Sequence, residues 1–338
     1  MKAWKLVKPN DLQLISDQPV DPTPELDAKV KMDRILFTRE DFCVLNGTLK
    51  TESGIVIGSC GVGVVSEVYD PQESRIERMD RVVIEPYIAC RNCLFCKTHK
   101  YQMCVEKKQL GINSDGLMQD FVCLPQKCLA KIPDGVSSSN ALMTAPISFA
   151  LNIIDKINLE KGDHVAVFGG GKLGVILSCL ITYYQAVPIF VESDAALKNI
   201  ALDKNVFYTF DATKTVTNEI FNATGGRMCE KVVYFAESDL PISVAIEACG
   251  QNSVFCVGGL FNKKAEFSVP SVQKKNLTVC GVDNPYGNFP SALNILAKNI
   301  IKADDFVCQE VSFADVDKTL PAVEEMQTVD QNIIVKCE

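Results

Sequence analysis

Four cysteines lie within 15 residues of one another, and their spacing is typical of a metal site. They follow the pattern Cys90-x2-Cys93-x2-Cys96-x7-Cys104. Four thiolates complete a tetrahedral shell around a zinc ion and leave no position for water or substrate. An iron–sulfur cluster also takes four cysteines, and free thiols can cluster by coincidence. We predict a structural zinc that holds this loop together and takes no part in catalysis.

A glycine-rich turn lies between the apolar segments HVAVF and VILSCL. Its spacing is Gly169-x-Gly171-x-x-Gly174. In a dinucleotide-binding fold these glycines allow a tight turn, the approach of a pyrophosphate and close packing of helix on strand. The N-terminus of the following helix faces the phosphate charge. The predicted cofactor contacts in this turn are Gly169, Gly171, Lys172, Leu173 and Gly174.

An acidic residue ends the next strand candidate, VPIFVES, about 20 residues after the glycine turn. Glu192 is placed to accept hydrogen bonds from an adenosine ribose, and Asp194 is the alternative acid. A carboxylate there would repel the 2′-phosphate of NADP, so the sequence favours NAD. The competing interpretation is a glycine-rich turn in a doubly wound domain that binds no cofactor.

These motifs lie in a chain whose pattern changes twice. Residues 1–144 contain short apolar runs separated by turn signals, which predicts a mainly β domain with the cysteine lobe at about 90–104. Residues 145–283 alternate strand candidates with helical stretches, which predicts an α/β domain with a doubly wound parallel sheet. Residues 284–338 carry a helix candidate and a final strand candidate, NIIVKC, and are expected to complete the first domain.

Composition argues against several classes of protein. Lys and Arg number 34 against 42 Asp and Glu, a net charge of −8, which disfavours a nucleic-acid partner. The longest apolar stretch, residues 165–191, is interrupted by glycines, a lysine and a proline, so we expect no membrane span and no membrane partner. The start of the chain shows no secretory signal, and most of its 15 cysteines lie singly in apolar runs. We therefore expect a soluble, cytoplasmic protein.

This order of motifs resembles the medium-chain, zinc-containing alcohol and polyol dehydrogenases. The resemblance implies a GroES-like catalytic domain built from both chain ends, a Rossmann domain between them and an active-site cleft at their junction. It also implies a small-molecule substrate, an NAD(P) cofactor and a homodimer or homotetramer. The likeness covers nearly the whole chain.

The chain departs from the family at the catalytic zinc, which alcohol dehydrogenase holds with two cysteines, one histidine and an open position. Thr38 stands where relatives have the first cysteine ligand, and Ser59 stands where they have the histidine. The third region reads Thr144-Ala145-Pro146 where relatives often have Glu-Pro. Hydroxyls bind zinc poorly compared with thiolate and imidazole. We predict that a catalytic zinc of the family's kind is absent.

Three functional interpretations remain. The first is a reductase of an activated carbonyl or enone, because hydride transfer from a nicotinamide does not itself need a metal. Thr38, Glu40, Ser59 and Cys60 are its candidate catalytic residues, with Glu40 as the acid or base. The second is an NAD-binding sensor or scaffold without turnover. The third is an alcohol or polyol dehydrogenase with a zinc relocated to Glu40, Cys43 and Cys60, although buried structural thiols explain both cysteines more simply.

Overall fold

The computed structural model describes residues 1–16, 20–72, 74–235, 238–259, 265–266, 268–283, 287–306, 309–325 and 332–337. Within these ranges the chain forms two compact units. Unit 1 comprises residues 1–145 and 289–338, and unit 2 comprises residues 146–288. The two boundaries lie near the predicted ones, 144/145 and 283/284. None of the helices in the described ranges is long and apolar enough to cross a membrane.

The N-terminal part of unit 1 is rich in short strands, in agreement with its alternation of apolar runs and turn residues. Its strands are β1 (Lys2–Lys8), β2 (Asp11–Ser16), β3 (Ala28–Phe37), β4 (Ile55–Val56), β5 (Cys60–Val68), β6 (Arg81–Ile84), β7 (Tyr87–Ile88), β8 (Lys108–Gln109), β9 (Phe121–Leu124) and β10 (Leu129–Lys131). Its helices are α1 (Arg39–Leu45), α2 (Leu94–Lys97) and α3 (Ser138–Ala141), and α4 (Thr144–Lys156) runs from unit 1 into unit 2.

Unit 2 alternates strands and helices along the chain. Its elements are β11 (His164–Phe168), α5 (Gly171–Tyr183), β12 (Val187–Glu192), α6 (Ala195–Asp203), β13 (Tyr208–Asp211), α7 (Val216–Ala223), β14 (Cys229–Phe235), α8 (Ile242–Glu247), β15 (Cys249–Gly258), α9 (Val269–Lys275) and β16 (Thr278–Val282). The strands pair in parallel in the order β13-β12-β11-β14-β15-β16. This order, 3-2-1-4-5-6, is that of the Rossmann fold, so the predicted doubly wound sheet is confirmed.

The C-terminal segment belongs to unit 1 and adds two strands to its main sheet. It forms α10 (Phe289–Ala297), β17 (Gln309–Ser312), α11 (Val316–Glu325) and β18 (Ile333–Lys336). The sheet has the order β10-β6-β5-β3-β18-β17, with β9 also paired to β3. The indole Nε1 of Trp4 donates a 2.8 Å hydrogen bond to the carbonyl of Phe313, which fastens the returning segment to the first strand. The apolar core of unit 1 therefore contains residues from both chain ends.

Candidate functional site

The four-cysteine lobe brings its thiols together as their spacing predicts. The sulfur atoms of Cys90, Cys93, Cys96 and Cys104 all lie within 4.8 Å of one another, and Cys90 and Cys96 are 3.9 Å apart. Zn–S bonds of about 2.3 Å in a tetrahedron place sulfurs about 3.8 Å apart. Hydrogen bonds from the backbone N–H groups of Cys96 and Val105 lower the pKa of the Cys93 thiol to about 6. The donor set and its size therefore fit a zinc ion.

Aromatic and cationic side chains support the loop that carries these cysteines. The guanidinium of Arg91 lies 4.0 Å from the ring centroid of Tyr101, a cation–π distance. The Tyr101 hydroxyl lies 3.0 Å from Nδ1 of His99. Arg91 and His99 both have positive φ, 62° and 60°, so the loop turns sharply on either side of α2. These contacts hold the lobe between Cys90 and Cys104 in a compact shape.

Thr38, Asp41 and Ser59 form a hydrogen-bond network in which Asp41 and Ser59 are buried and Thr38 is half-buried. The Thr38 backbone N–H and the Thr38 hydroxyl each donate to Oδ2 of Asp41 at 2.8 Å, and the Ser59 hydroxyl donates to the same oxygen at 3.3 Å. Burial raises the pKa of the Asp41 carboxyl, and the hydrogen bonds from Thr38 and Ser59 oppose that rise. Both hydroxyls thus have Asp41 as an acceptor, and the Thr38 side chain also accepts from the backbone N–H of Asp41 in a capping box.

Sheet register explains how residues about 20 positions apart meet. Strands β3 and β5 are antiparallel, and Leu36 pairs with Cys60. The end of β3 and the start of β5 therefore lie side by side, which places Thr38 next to Ser59. Thr38 is the N-cap of α1, whose first turn carries Asp41. Since the carboxylate of Asp41 reaches back to the cap residue, the local helix start itself builds half of the network.

Cys60 and Glu40 lie beside this network in different environments. The Ser59 hydroxyl lies 3.6 Å from the sulfur of Cys60, whose side chain is buried. Burial, with a smaller contribution from the Asp41 and Glu40 charges, raises the pKa of the Cys60 thiol far above its usual range. Glu40 is only half-buried, and Nε2 of Gln109 donates to its Oε1 at 3.0 Å. Nothing in the sequence pointed to Gln109, because the contact bridges 69 positions.

The relocated zinc site is not formed in the described part of the chain. The four-cysteine lobe is the one group of three or more His, Cys, Asp or Glu side chains there whose ligand atoms converge closely enough for an ion. Glu40, Cys43 and Cys60 are not among the groups that converge in this way. The interpretation that they hold a relocated zinc therefore has no support in the geometry.

The third ligand region begins helix α4. Thr144 is fully buried, and its hydroxyl donates a 2.6 Å hydrogen bond to the carbonyl of Ala141. Ala145 is also buried and offers only a methyl group. The hydroxyl of Thr144 therefore caps a local turn, and Ala145 has no atom that binds a metal.

The glycine turn has the strand–turn–helix geometry that a pyrophosphate site requires. It joins β11 to α5, and Gly169, Gly170 and Gly171 all have positive φ. A Cβ on Gly170 would lie 2.4 Å from the ring of Phe235, and one on Gly174 would lie 2.2 Å from the carbonyl oxygen of Gly169. Only glycine fits at these two positions. Backbone N–H groups at the N-terminus of a helix such as α5 are suited to bind phosphate oxygens.

The predicted contacts Lys172 and Leu173 lie in the first turn of α5. Lys172 is buried, and Leu173 is half-buried. These positions accompany the glycines at the helix N-terminus, as the motif requires.

Glu192 is the buried last residue of β12, next to the glycine turn. The Gly169 N–H donates to the carbonyl of Val191 at 2.9 Å, which brings the two strand ends together. Oε1 of Glu192 accepts hydrogen bonds from the backbone and hydroxyl of Ser193 at 2.8 and 3.2 Å. The backbone N–H of Asp194 also lies 3.4 Å from Oε1 of Glu192. Asp194 is the N-cap of α6, where its carboxylate accepts from the N–H of Ala196 at 2.7 Å.

Two further acids lie at the same edge of the sheet and were not predicted. Asp211 pairs in register with Glu192, and its carboxylate forms an ion pair with Lys198. Asp239 accepts a hydrogen bond from the Ser193 hydroxyl. Only the register of parallel strands brings these acids together, since the last of them is 47 positions from Glu192. The residues present therefore fit a dinucleotide whose ribose is recognised by acidic side chains.

Comparisons with known proteins agree with this geometry. Residues 24–134 match the family described as alcohol dehydrogenase GroES-like domain. The chain is 24% identical over 319 residues to an uncharacterized zinc-type alcohol dehydrogenase-like protein of Haemophilus influenzae, covering 94% of this chain and 93% of that one. It is 25% identical over 287 residues to D-xylulose reductase A of Aspergillus oryzae, covering 82% and 79%.

A solved structure shares the fold of nearly the whole chain. It is described as a short chain alcohol dehydrogenase from Escherichia coli CFT073 complexed with cofactor NADH. The TM-score is 0.89 at 22% identity, with 99% of both chains covered. This chain therefore has the same fold as that protein.

Proposed function

We propose that the chain is an NAD(P)-dependent oxidoreductase of the medium-chain, zinc-containing alcohol and polyol dehydrogenase family, and that it reduces an activated carbonyl or an enone without a catalytic zinc. The observation that carries the proposal is the network around Asp41. Thr38 and Ser59 occupy two ligand positions of the family with neutral hydroxyls, and both hydroxyls donate to one carboxylate oxygen. Hydroxyls held in this way offer zinc neither thiolate nor imidazole.

The absence of these ligands determines which substrates are favourable. A zinc ion would polarise the substrate oxygen and stabilise the alkoxide, a contribution of several kcal/mol in the transition state. A substrate whose carbonyl is conjugated to a double bond needs less of that stabilisation, because its negative charge is delocalised as hydride arrives. NAD(P)H supplies the hydride when it is bound. This chain has to supply the proton and hold the substrate.

We assign the proton to Glu40. The hydroxyls of Thr38 and Ser59 already donate to Asp41, so we do not assign the proton transfer to them. The Cys60 thiol is buried and keeps its proton. Glu40 is half-buried, and the amide of Gln109 holds its Oε1. The Glu40 carboxyl is the group in this cluster best suited to give and recover a proton.

The first experiment compares enones with their saturated counterparts. NADH consumption would be followed with purified protein and matched pairs of α,β-unsaturated and saturated aldehydes and ketones, while metal content is measured in parallel. We expect at least tenfold faster turnover of the unsaturated member and about one zinc per chain. Oxidation of alcohols or polyols that requires a second metal per chain would overturn the proposal. NADH binding without turnover across the panel would support a sensor or scaffold instead.

A second experiment tests Glu40. Glu40→Gln keeps the hydrogen bond from Gln109 but cannot transfer a proton, so turnover should fall by about 10²–10⁴. In a plot of turnover rate against pH, the change in rate that comes from ionisation of this carboxyl should be absent. Glu52→Gln, at an exposed acid in the same unit, is the matched control and should behave as the parent protein. An unchanged pH profile in Glu40→Gln would contradict the assignment.

We further propose that the cofactor is NAD, with Glu192 binding the adenosine ribose. The neighbouring carboxylates of Asp194, Asp211 and Asp239 support this choice, because each would repel a 2′-phosphate. Glu192→Gln should reduce the preference for NADH over NADPH in titrations of binding. Glu219→Gln, at an exposed acid on α7, is the control and should keep the parent ratio. Equal binding of NADH and NADPH by the unmodified protein would contradict this proposal.

A further inference from the structure

Two cysteines of unit 2 face each other across neighbouring strands and play no part in the proposed reaction. Cys256 on β15 pairs in register with Cys280 on β16, the strand at the end of the sheet. Paired residues of parallel strands point to the same face of a sheet, and neighbouring strands lie about 4.8 Å apart. The Cα atoms of a disulfide span about 4.4–6.8 Å. The register therefore places the two thiols within disulfide reach.

Helix α4 covers the face on which both thiols lie. A Cβ on Gly258 would lie 3.2 Å from Cδ1 of Ile153, so this helix packs on the face of β15 that Gly258 shares with Cys256. Lys156 is one turn beyond Ile153, and its positive charge acts on both Cys256 and Cys280. The titratable and charged groups that act on Cys280 are thus the Cys256 thiol from β15 and the Lys156 ammonium from α4.

The two thiols differ in exposure and in acidity. Cys256 is fully buried, whereas Cys280 is half-buried on the last strand of the sheet. A hydrogen bond from the Cys256 thiol, with help from Lys156, lowers the pKa of Cys280 to about 7 against the effect of burial. The same hydrogen bond and burial raise the pKa of Cys256. An accessible thiolate beside a buried thiol is the arrangement of a reactive cysteine and its resolving partner.

We propose that Cys280 and Cys256 form a thiol–disulfide exchange site that reacts with low-molecular-weight disulfides. The Cys280 thiolate attacks one sulfur of the small disulfide, forms a mixed disulfide and releases one small thiolate. The Cys256 thiol then attacks the Cys280 sulfur, which releases the second small thiolate, and the proton of Cys256 passes to that thiolate as it leaves. Two protein thiols are oxidised to one disulfide, and one small disulfide is reduced to two thiols. The product joins β15 to β16 covalently.

The first test uses oxidised glutathione on the full-length, zinc-loaded protein, followed by alkylation and peptide mapping. We expect an internal disulfide between Cys256 and Cys280 that dithiothreitol reverses. Cys256→Ser should stop the reaction at a mixed disulfide on Cys280, because the resolving thiol is gone. Cys280→Ser should leave Cys256 unmodified, since that thiol is buried. Melting curves of both variants establish that they are folded.

Cys123 provides an internal control. It is also half-buried, but burial raises the pKa of its thiol. We expect iodoacetamide to modify Cys280 at least tenfold faster than Cys123 at pH 7, with a rate that rises through a midpoint near pH 7. Cys123→Ser should form the same internal disulfide as the parent protein. Similar rates at Cys123 and Cys280, or oxidation that never links Cys280 to Cys256, would overturn the proposal.

Discussion

Two groups of polar side chains in unit 1 differ in whether they are suited to bind zinc. In the lobe of residues 90–104, four sulfur atoms lie within 4.8 Å of one another. In the network of Thr38, Asp41 and Ser59, two hydroxyls donate to one carboxylate oxygen. The comparison teaches that converging thiols can form a metal site, whereas hydroxyls around a buried carboxyl satisfy one another by hydrogen bonds.

The largest expected effect is the loss of a ligand from the lobe. Cys96→Ser should remove the zinc and lower the melting temperature by roughly 10 °C, because losing several kcal/mol moves the midpoint by about 2–4 °C per kcal/mol in a domain of this size. Metal analysis and calorimetry measure both effects. Cys123→Ser, outside the lobe, should keep its zinc. If Cys96→Ser kept its full metal content, the cysteine lobe would not differ from the hydroxyl network in its ability to bind zinc.

The next effect concerns the acceptor at the centre of the hydroxyl network. Asp41→Ala should cost about 1–3 kcal/mol in the free energy of unfolding, because buried donors from Thr38 and Ser59 lose their acceptor. Asp41→Asn keeps an oxygen that can accept the same hydrogen bonds and should cost less. Urea denaturation of both variants measures the difference. Equal losses in the two variants would mean that charge, and not hydrogen bonding, holds this region together.

A smaller, pH-dependent effect follows from the burial of Asp41. Because burial raises its pKa in the folded protein above the ordinary value of 3.8, the unfolded chain releases this proton first as pH rises. The stability contributed by protonated Asp41 is complete below about pH 4 and is lost as pH rises through the folded pKa. The free energy of unfolding of the parent protein, relative to Asp41→Asn, should therefore decrease from pH 4 upward and then level off. A relative stability that increases over this range would contradict the sign.

The smallest effect is expected at Cys60. Cys60→Ala should leave the zinc content unchanged, since the thiol is not part of a converging ligand group in the described structure. Burial raises the pKa of this thiol, so iodoacetamide should modify it slowly at pH 8 in the folded parent protein. Loss of one zinc from Cys60→Ala would restore the hypothesis of a relocated metal site.

Local sequence patterns predicted the elements that have strong periodicity. The strand candidates HVAVF and VPIFVES correspond to β11 and β12, because buried parallel strands are continuous apolar runs. Strand β13, with the sequence YTFD, was not recognised. It has four residues, none of them fully buried, and its position beside β12 decides its conformation. Short strands at the end of a sheet depend on pairing more than on their own propensity.

The candidate site was predictable where its residues are close in sequence. The cysteine spacing and the glycine spacing each encode a local geometry, so the sequence alone identified Cys90 to Cys104 and Gly169 to Gly174. The contact of Gln109 with Glu40 bridges 69 positions, and the pairing of Cys256 with Cys280 depends on strand register. A linear sequence contains no periodic signal for contacts of this kind.

By itself, the sequence determined which chemical groups are present: four clustered thiols, a glycine turn with a following acid, and hydroxyls at two ligand positions. Only the tertiary structure decided how those groups are used. It directs both hydroxyls at Asp41, places Glu40 against Gln109 and brings two distant cysteines into register. The physical reason is that hydrogen bonds and thiol reactivity depend on distances of a few ångströms and on burial, which pairing between distant segments sets.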